Sequence, residues 1–324
     1  MIIFSDPTSM DQTCLAFVAR FGVYFHCDIP QSRCREAMAP LALSIQRIRV
    51  STSGEMLEST ANAYLARVGE QAILIDAGYA DSARDIVDVA NSLGVTITDI
   101  CLTHYHPDHS LGAPEIAKQF SCPIHCHPAD RIDLEKLYES AMPKEIHWRE
   151  MVCPDLIPDS SIRLGDTSLR ILHTPGHTHG HIALLHEPSG SLFSGDTVIP
   201  GGTVWIGPPD GHLRTYLDSL DTLMDVRCTR IYPGHGDLVA EPVPLIRAMK
   251  TRRLLREQQI LDLIRDHSRS VEDLVDLLYT DTVPKDLRWV AVKTVEGHLG
   301  KLLEENRIEL ESRLHADHPK YRCS

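Results

Sequence analysis

The sequence predicts an α/β (α+β) fold in which two β-sheets pack face to face with helices outside, followed by a small helical subdomain. Three observations carry this. Short β-branched or alternating runs, bounded by Gly, Pro and Ser, recur in two separate stretches of the chain. Helical segments lie between them, so neither half reads as all-β. After about Pro242 the strand pattern stops and three helical segments follow.

In order, residues 46–50, 63–68 and 72–75 read as strands. Residues 81–93 read as a helix stopped by Gly94, and 96–103 as a strand running into a histidine cluster. A helix over 111–120, a short strand over 123–127 and a helix over 129–140 complete the first half. The second half opens with two hairpins, 161–164 with 168–173 around Gly165-Asp166, and 181–186 with 191–194 around Pro188–Gly190. A helix over 211–225 and a strand over 230–232 follow. The last helices are placed at 244–266, 271–280 and 284–306, with Ser270 and Asp273 spaced to cap the second. They suit either a winged-helix-like unit or a helical cover. The domain plan is 1–44, an extension whose role the sequence does not choose; 45–241, the main domain; and 242–324, the helical part.

A hydrophobic fraction of 43% suits a sizeable core, and a net charge of −13 argues against broad nucleic-acid binding. Nine scattered cysteines fit reduced thiols better than a disulfide framework. No stretch approaches the ~18 apolar residues of a membrane span. Arg20, Asp6 and Asp11 spoil the N-terminal apolar run as a secretory signal. The expected location is the cytoplasm, with no membrane partner and room for a homo-oligomer.

The chemistry lies in Thr103-His104-Tyr105-His106-Pro107-Asp108-His109. Strand alternation sends His104 and His106 to one side, and a turn at Pro107 lets Asp108 and His109 point elsewhere, so one loop can reach two neighbouring ions. Further candidates sit at strand ends, each just after a glycine: His177, Asp196 and His235. By contrast, Cys122, His125, Cys126 and His127 alternate along a strand and cannot easily converge, so a structural role is expected.

The HxHxDH run, then Pro175-Gly176-His177-Thr178, Ser194-Gly195-Asp196 and Pro233-Gly234-His235-Gly236, with Ile75-Asp76-Ala77-Gly78 before them, resemble the metallo-β-lactamase superfamily. The likeness covers 46–240 and is nearest to the glyoxalase II-like and lactamase-beta-like group with a C-terminal helical tail. It implies an αββα sandwich with a two-metal site at one edge. His104, His106 and His177 would bind one ion; Asp108, His109 and His235 the other; Asp196 would bridge them. Asp76 is similar to the aspartate that steadies a ligand imidazole. The ions would be divalent, zinc first, with manganese or iron also suiting these donors. A metal-bridging hydroxide would then be the nucleophile, oriented by Asp108.

Asp196 stands where class B1 β-lactamases carry cysteine, which argues against antibiotic hydrolysis. The tail beginning Arg253-Leu254-Leu255-Arg256-Glu257 and the stretch 206–211 resemble the lactamase-beta-like group, whose bacterial and fungal hydrolases include polyketide thioesterases. The leading expectation is hydrolysis of a small-molecule thioester, ester or related C–O bond. The alternatives are a single-strand endoribonuclease acting on RNA, and an iron-binding oxidoreductase or non-hydrolytic subunit. Arg247, Lys250, Arg252, Arg253 and Arg256 support the RNA reading, but are expected to be a solvated helix face paired with acids. Trp205, His212 and His179 are candidate substrate contacts.

Overall fold

The computed structural model describes residues 42–51, 60–153, 155–280, 283–311 and 319–324, which lie in one compact unit over Ala42–Ser324. The extension placed at 1–44 falls almost wholly outside the described residues.

The first sheet runs in the order β1 (Ser44–Ser51), β2 (Thr60–Val68), β3 (Gln71–Ile75), β4 (Thr96–Cys101), β5 (Ile124–His125) and β6 (Val152–Cys153). The second is ordered β11-β10-β9-β8-β7, from β7 (Ser161–Leu164), β8 (Thr167–His173), β9 (Ile182–His186), β10 (Ser191–Gly195) and β11 (Arg230–Pro233). Both expected hairpins form, antiparallel, with Leu164 opposite Thr167 and Ser191 opposite His186.

Side-chain alternation makes the layers. In β2, Ala61, Ala63 and Leu65 face one core, while Tyr64, Ala66 and Val68 face another. In β9, Ile182 and Leu184 join that second core, while Ala183 and Leu185 face a third. The second core, with Ile73, Ile75, Ile171 and Phe193, therefore lies between the sheets. The first core is covered by α1 (Ala83–Ser92), α3 (Ala113–Phe120) and α4 (Arg131–Ala141). The third is covered by α5 (Leu213–Asp225) and the start of α6 (Pro242–Ile264). The architecture is an αββα sandwich whose central strands are buried on both faces, which is why they read as apolar runs.

The C-terminal part departs from expectation in one respect. After α7 (Val271–Leu278) and α8 (Arg288–Glu304) the chain forms two more strands, β12 (Ile308–Leu310) and β13 (Tyr321–Cys323), paired antiparallel. Three residues each, they are too short to show an alternating period, so the expectation that strands stop after Pro242 fails there. The Ser270–Asp273 capping box does form at the start of α7. Ile260, Leu274, Val295, Leu302 and Ile308 give this helical unit, with its small sheet, a core of its own. A buried pair, Glu257 with Lys301 at 2.6 Å, ties α6 to α8.

Candidate metal centre

The site collects at the strand ends. Beyond β4 the chain passes His104 and His106 and enters a one-turn helix, α2 (Pro107–Ser110), which carries Asp108 and His109. His177 follows β8, Asp196 follows β10 and His235 follows β11. Glycines allow the approach. A Cβ on Gly234 would meet the Asp196 carboxylate and His109, and one on Gly195 would lie 2.7 Å from Thr103 and His181.

Three groups have ligand atoms within 4.8 Å of one another: His104, His106 and His177; His104, His109 and Asp196; and Asp108, His109 and His235. They form a candidate binuclear metal site among the described residues. Its seven side chains are those singled out in the sequence.

Each histidine has one ring nitrogen spent on an outer acceptor. His109 Nδ1 donates to Asp76 at 2.9 Å, His177 Nδ1 to the Trp205 carbonyl at 2.8 Å and His235 Nδ1 to the Thr60 carbonyl at 2.9 Å. His106 Nε2 donates to Asp210 at 3.3 Å. The Thr103 hydroxyl donates to Asp76, so its oxygen is left to accept from His104 Nδ1 at 3.0 Å. A neutral imidazole holding its proton on one nitrogen presents a lone pair on the other.

Those lone pairs converge. His177 Nε2 lies 3.0 Å from His106 Nδ1, and His109 Nε2 lies 3.3 Å from His235 Nε2. In the neutral tautomers that metal ligation requires, whose protons are committed outward, neither pair has a hydrogen to share. His104 Nε2 and Asp196 Oδ1 are buried with no hydrogen-bond partner. Asp196 approaches His109 at 3.5 Å, His235 at 3.4 Å and His177 at 3.6 Å. Crowded lone pairs with two carboxylates are satisfied by cations, so the donor set fits a pair of divalent ions.

The electrostatics agree. Burial, helped by His106, pushes His177 down to about 4, and burial with His109 holds His104 well below the usual histidine range. Burial opposes charge on His235 as well, yet the Asp196 and Asp108 carboxylates outweigh it and bring that ring up to about 10. The side of the site nearest the acids calls for positive charge.

Asp76 is the hub behind the ligands. It takes a positive φ of 57° at the end of β3 and accepts from the Thr103 backbone N–H at 2.8 Å as well as from Thr103 Oγ1 and His109. Such a backbone, costly for a non-glycine residue, is found where a site demands it. Sequence reasoning missed one support, Asp210, and read another, His181, only as a residue that could line the pocket. Asp210, held also by the Tyr105 hydroxyl, anchors His106 from 104 positions away. His181 accepts from the Asp196 backbone N–H at 3.0 Å. A short-range motif carries no sign of the first; the second stood in view beside His177. Among the proposed substrate contacts, Trp205 stacks on His106 with ring centres 6.0 Å apart. Both nitrogens of His212 are engaged, by the Thr215 N–H and Glu304, and His179 is an exposed residue whose carbonyl accepts from His173.

The metallo-beta-lactamase superfamily model matches residues 57–235, and a beta-lactamase associated winged helix domain matches residues 270–315. A beta-lactamase-like protein 2 homolog from Drosophila melanogaster is 30% identical over 289 residues, 85% of this chain and 92% of that protein. An atrochrysone carboxyl ACP thioesterase from Claviceps purpurea (strain 20.1) is 25% identical, over 88% of this chain and 87% of that protein. The crystal structure of a beta-lactamase domain protein from Burkholderia ambifaria superposes with a TM-score of 0.73 at 18% identity, covering 86% of this chain and 91% of that one. The fold, the winged-helix unit after it and the seven clustered donors agree, and the chain belongs to the metallo-beta-lactamase superfamily.

Proposed function

We propose that this protein is a binuclear metal-dependent hydrolase of a small-molecule thioester, ester or related C–O bond. The convergence of histidine lone pairs whose other nitrogens are all spent outward carries this reading. In it, His104, His106 and His177 would hold one ion and Asp108, His109 and His235 the other, with Asp196 placed to serve both. Zinc is the ion we assign, since a donor set of imidazoles with carboxylates suits it. Bound there, two divalent ions would supply Lewis acidity and make water acidic enough to be a nucleophile near neutral pH.

The chain's own residues do the rest. Asp76, Thr103 and Asp210 fix ring orientation and tautomer, which ligand binding requires. Asp108, with 20% of its side chain exposed against 11% for Asp196, is the carboxylate more open to an incoming water, which it orients by accepting a hydrogen bond. A thiolate departs without a proton, so a thioester needs no further acid. The relatives named as ACP thioesterases support that bond type. No described helix is long and apolar enough to cross a membrane. The described cysteines are free thiols, which supports a reducing compartment such as the cytoplasm.

The test is a hydrolysis panel on zinc- and manganese-loaded protein with acyl thioesters, aryl esters, lactones and single-stranded RNA. Thioester or ester turnover that disappears on chelation is expected. RNA cleavage with none of the small substrates turned over would sink the proposal.

A further inference from the structure

The basic stretch on α6 departs from its expected character. Lys250 does pair with an acid, Asp221. Arg252, Arg253 and Arg256 form no ion pair among the described residues; they bind oxygens of uncharged groups instead. Arg252 donates to the Gly202 carbonyl at 2.9 Å and to Thr203 Oγ1, Arg253 to the Val204 carbonyl, and Arg256 to the Leu278 carbonyl. Arg253 is only 5% exposed, with its guanidinium 5.7 Å from the Tyr216 ring centre. A buried guanidinium without a carboxylate is costly.

All three arginines line one cavity of about 350 Å³, in the range of small-molecule sites. No acid lines it among the described residues. Its other walls are largely apolar, including Val204, Leu287, Val290 and Ala291. One turn beyond Thr294 on α8, His298 is buried with neither ring nitrogen bonded, pushed down to about 3 by burial and by Arg253 and Arg256. The cavity adjoins the metal groups along the chain. Val204 is followed by Trp205, whose carbonyl holds His177 and whose ring packs against both His106 and Trp289.

We propose that this cavity is a ligand site for an amphipathic anion, a carboxylate or phosphate on an apolar body, and that it recognises the non-reacting end of the substrate. Guanidinium forks match such oxyanions, while the apolar walls take the attached chain. The recognition role rests on the hydrolase reading; the binding does not.

The full chain, metal-loaded and again after chelation, is titrated with decanoate, decyl phosphate, inorganic phosphate, decanol and a single-stranded RNA 10-mer. Tryptophan fluorescence reads occupancy beside Trp205 and Trp289, and calorimetry confirms it. Decanoate or decyl phosphate should bind saturably, with decanol at least about tenfold weaker. Arg252→Gln and Arg256→Gln, which spare the buried Arg253, should each weaken binding about tenfold with an unchanged melting curve, with or without metal. A preference between the two amphiphiles identifies the oxyanion. Neither amphiphile binding, equal affinity in the arginine variants, binding lost on chelation, or arginine-dependent RNA binding without amphiphile binding would each overturn the proposal. Arginine-dependent binding in a protein that hydrolyses nothing on the substrate panel would leave this site standing and remove the hydrolase reading alone.

Discussion

Two histidine-rich stretches of this chain look alike as sequence and differ in which ring nitrogens are free. At the candidate metal centre, each of His104, His106, His109, His177 and His235 spends one nitrogen outward and turns the other toward its neighbours. At β5, His125 spends both, on Asp99 at 2.9 Å and Asp155 at 2.8 Å. His127 accepts from the Ala129 N–H and stacks on His173, ring centres 4.4 Å apart. Cys122 and Cys126 are buried in the core under the outer helices. Lone pairs left over, rather than histidines counted, separate a cation site from a polar joint.

The strongest way to break that contrast is substitution at its centre. Asp196→Asn keeps the shape and removes a charge shared by three histidines. Hydrolysis should fall by about 10²- to 10³-fold, because the carboxylate that would hold the charge-stabilising ions is lost. Elemental analysis should show less than two metal ions per chain. His125→Gln should leave both values at wild type. Undiminished activity with full metal in Asp196→Asn, or metal lost from His125→Gln, would erase the distinction.

A finer cut concerns the outward bonds. Asp210→Asn leaves every proposed ligand in place and weakens the hold on His106, along with the contact to the Tyr105 hydroxyl. Metal affinity, measured by competition with a chromogenic chelator, should drop about 10- to 100-fold. Wild-type affinity would mean that the stacking of Trp205 fixes His106 without help from Asp210.

The difference between these two aspartates also marks where the sequence stops being legible. Asp196, His177 and His235 could be read because each sits in a short local pattern, strand, glycine, ligand, that a backbone constraint enforces. Asp210 could not, because its partner is brought to it only when the loop before α5 folds over the strand ends. The sheets and outer helices were legible through long periodic runs such as β2 and α5. The paired β12 and β13 were not, since three-residue strands are specified by their partner and not by a period. The unpaired arginines of α6 belong with Asp210: helical spacing puts them on one side, but whether acids meet them is decided by α8 and the 202–204 segment.

The smallest effect tests the other half of the comparison, that His125 is a joint. Burial opposes its charge, but hydrogen bonds to Asp99 and Asp155 outweigh burial and raise its pKa above the ordinary value. Its hydrogen bond lowers Asp99 in turn, against that residue's own burial. A raised histidine stabilises fully below its unfolded pKa of ~6.5, and that contribution is lost as pH rises through the higher folded value. A lowered aspartate stabilises above its unfolded pKa of ~3.9 and loses that as pH falls toward the folded value. The stability difference between wild type and His125→Gln should therefore be largest between about pH 4 and 6.5 and shrink above. Its size should be about 1 kcal/mol, because Asp155 is 56% exposed and water screens that side of the pair. Urea denaturation across that range reads it directly. A difference that grows as pH rises past 7 would mean His125 works as a neutral ring, with a nitrogen to spare after all.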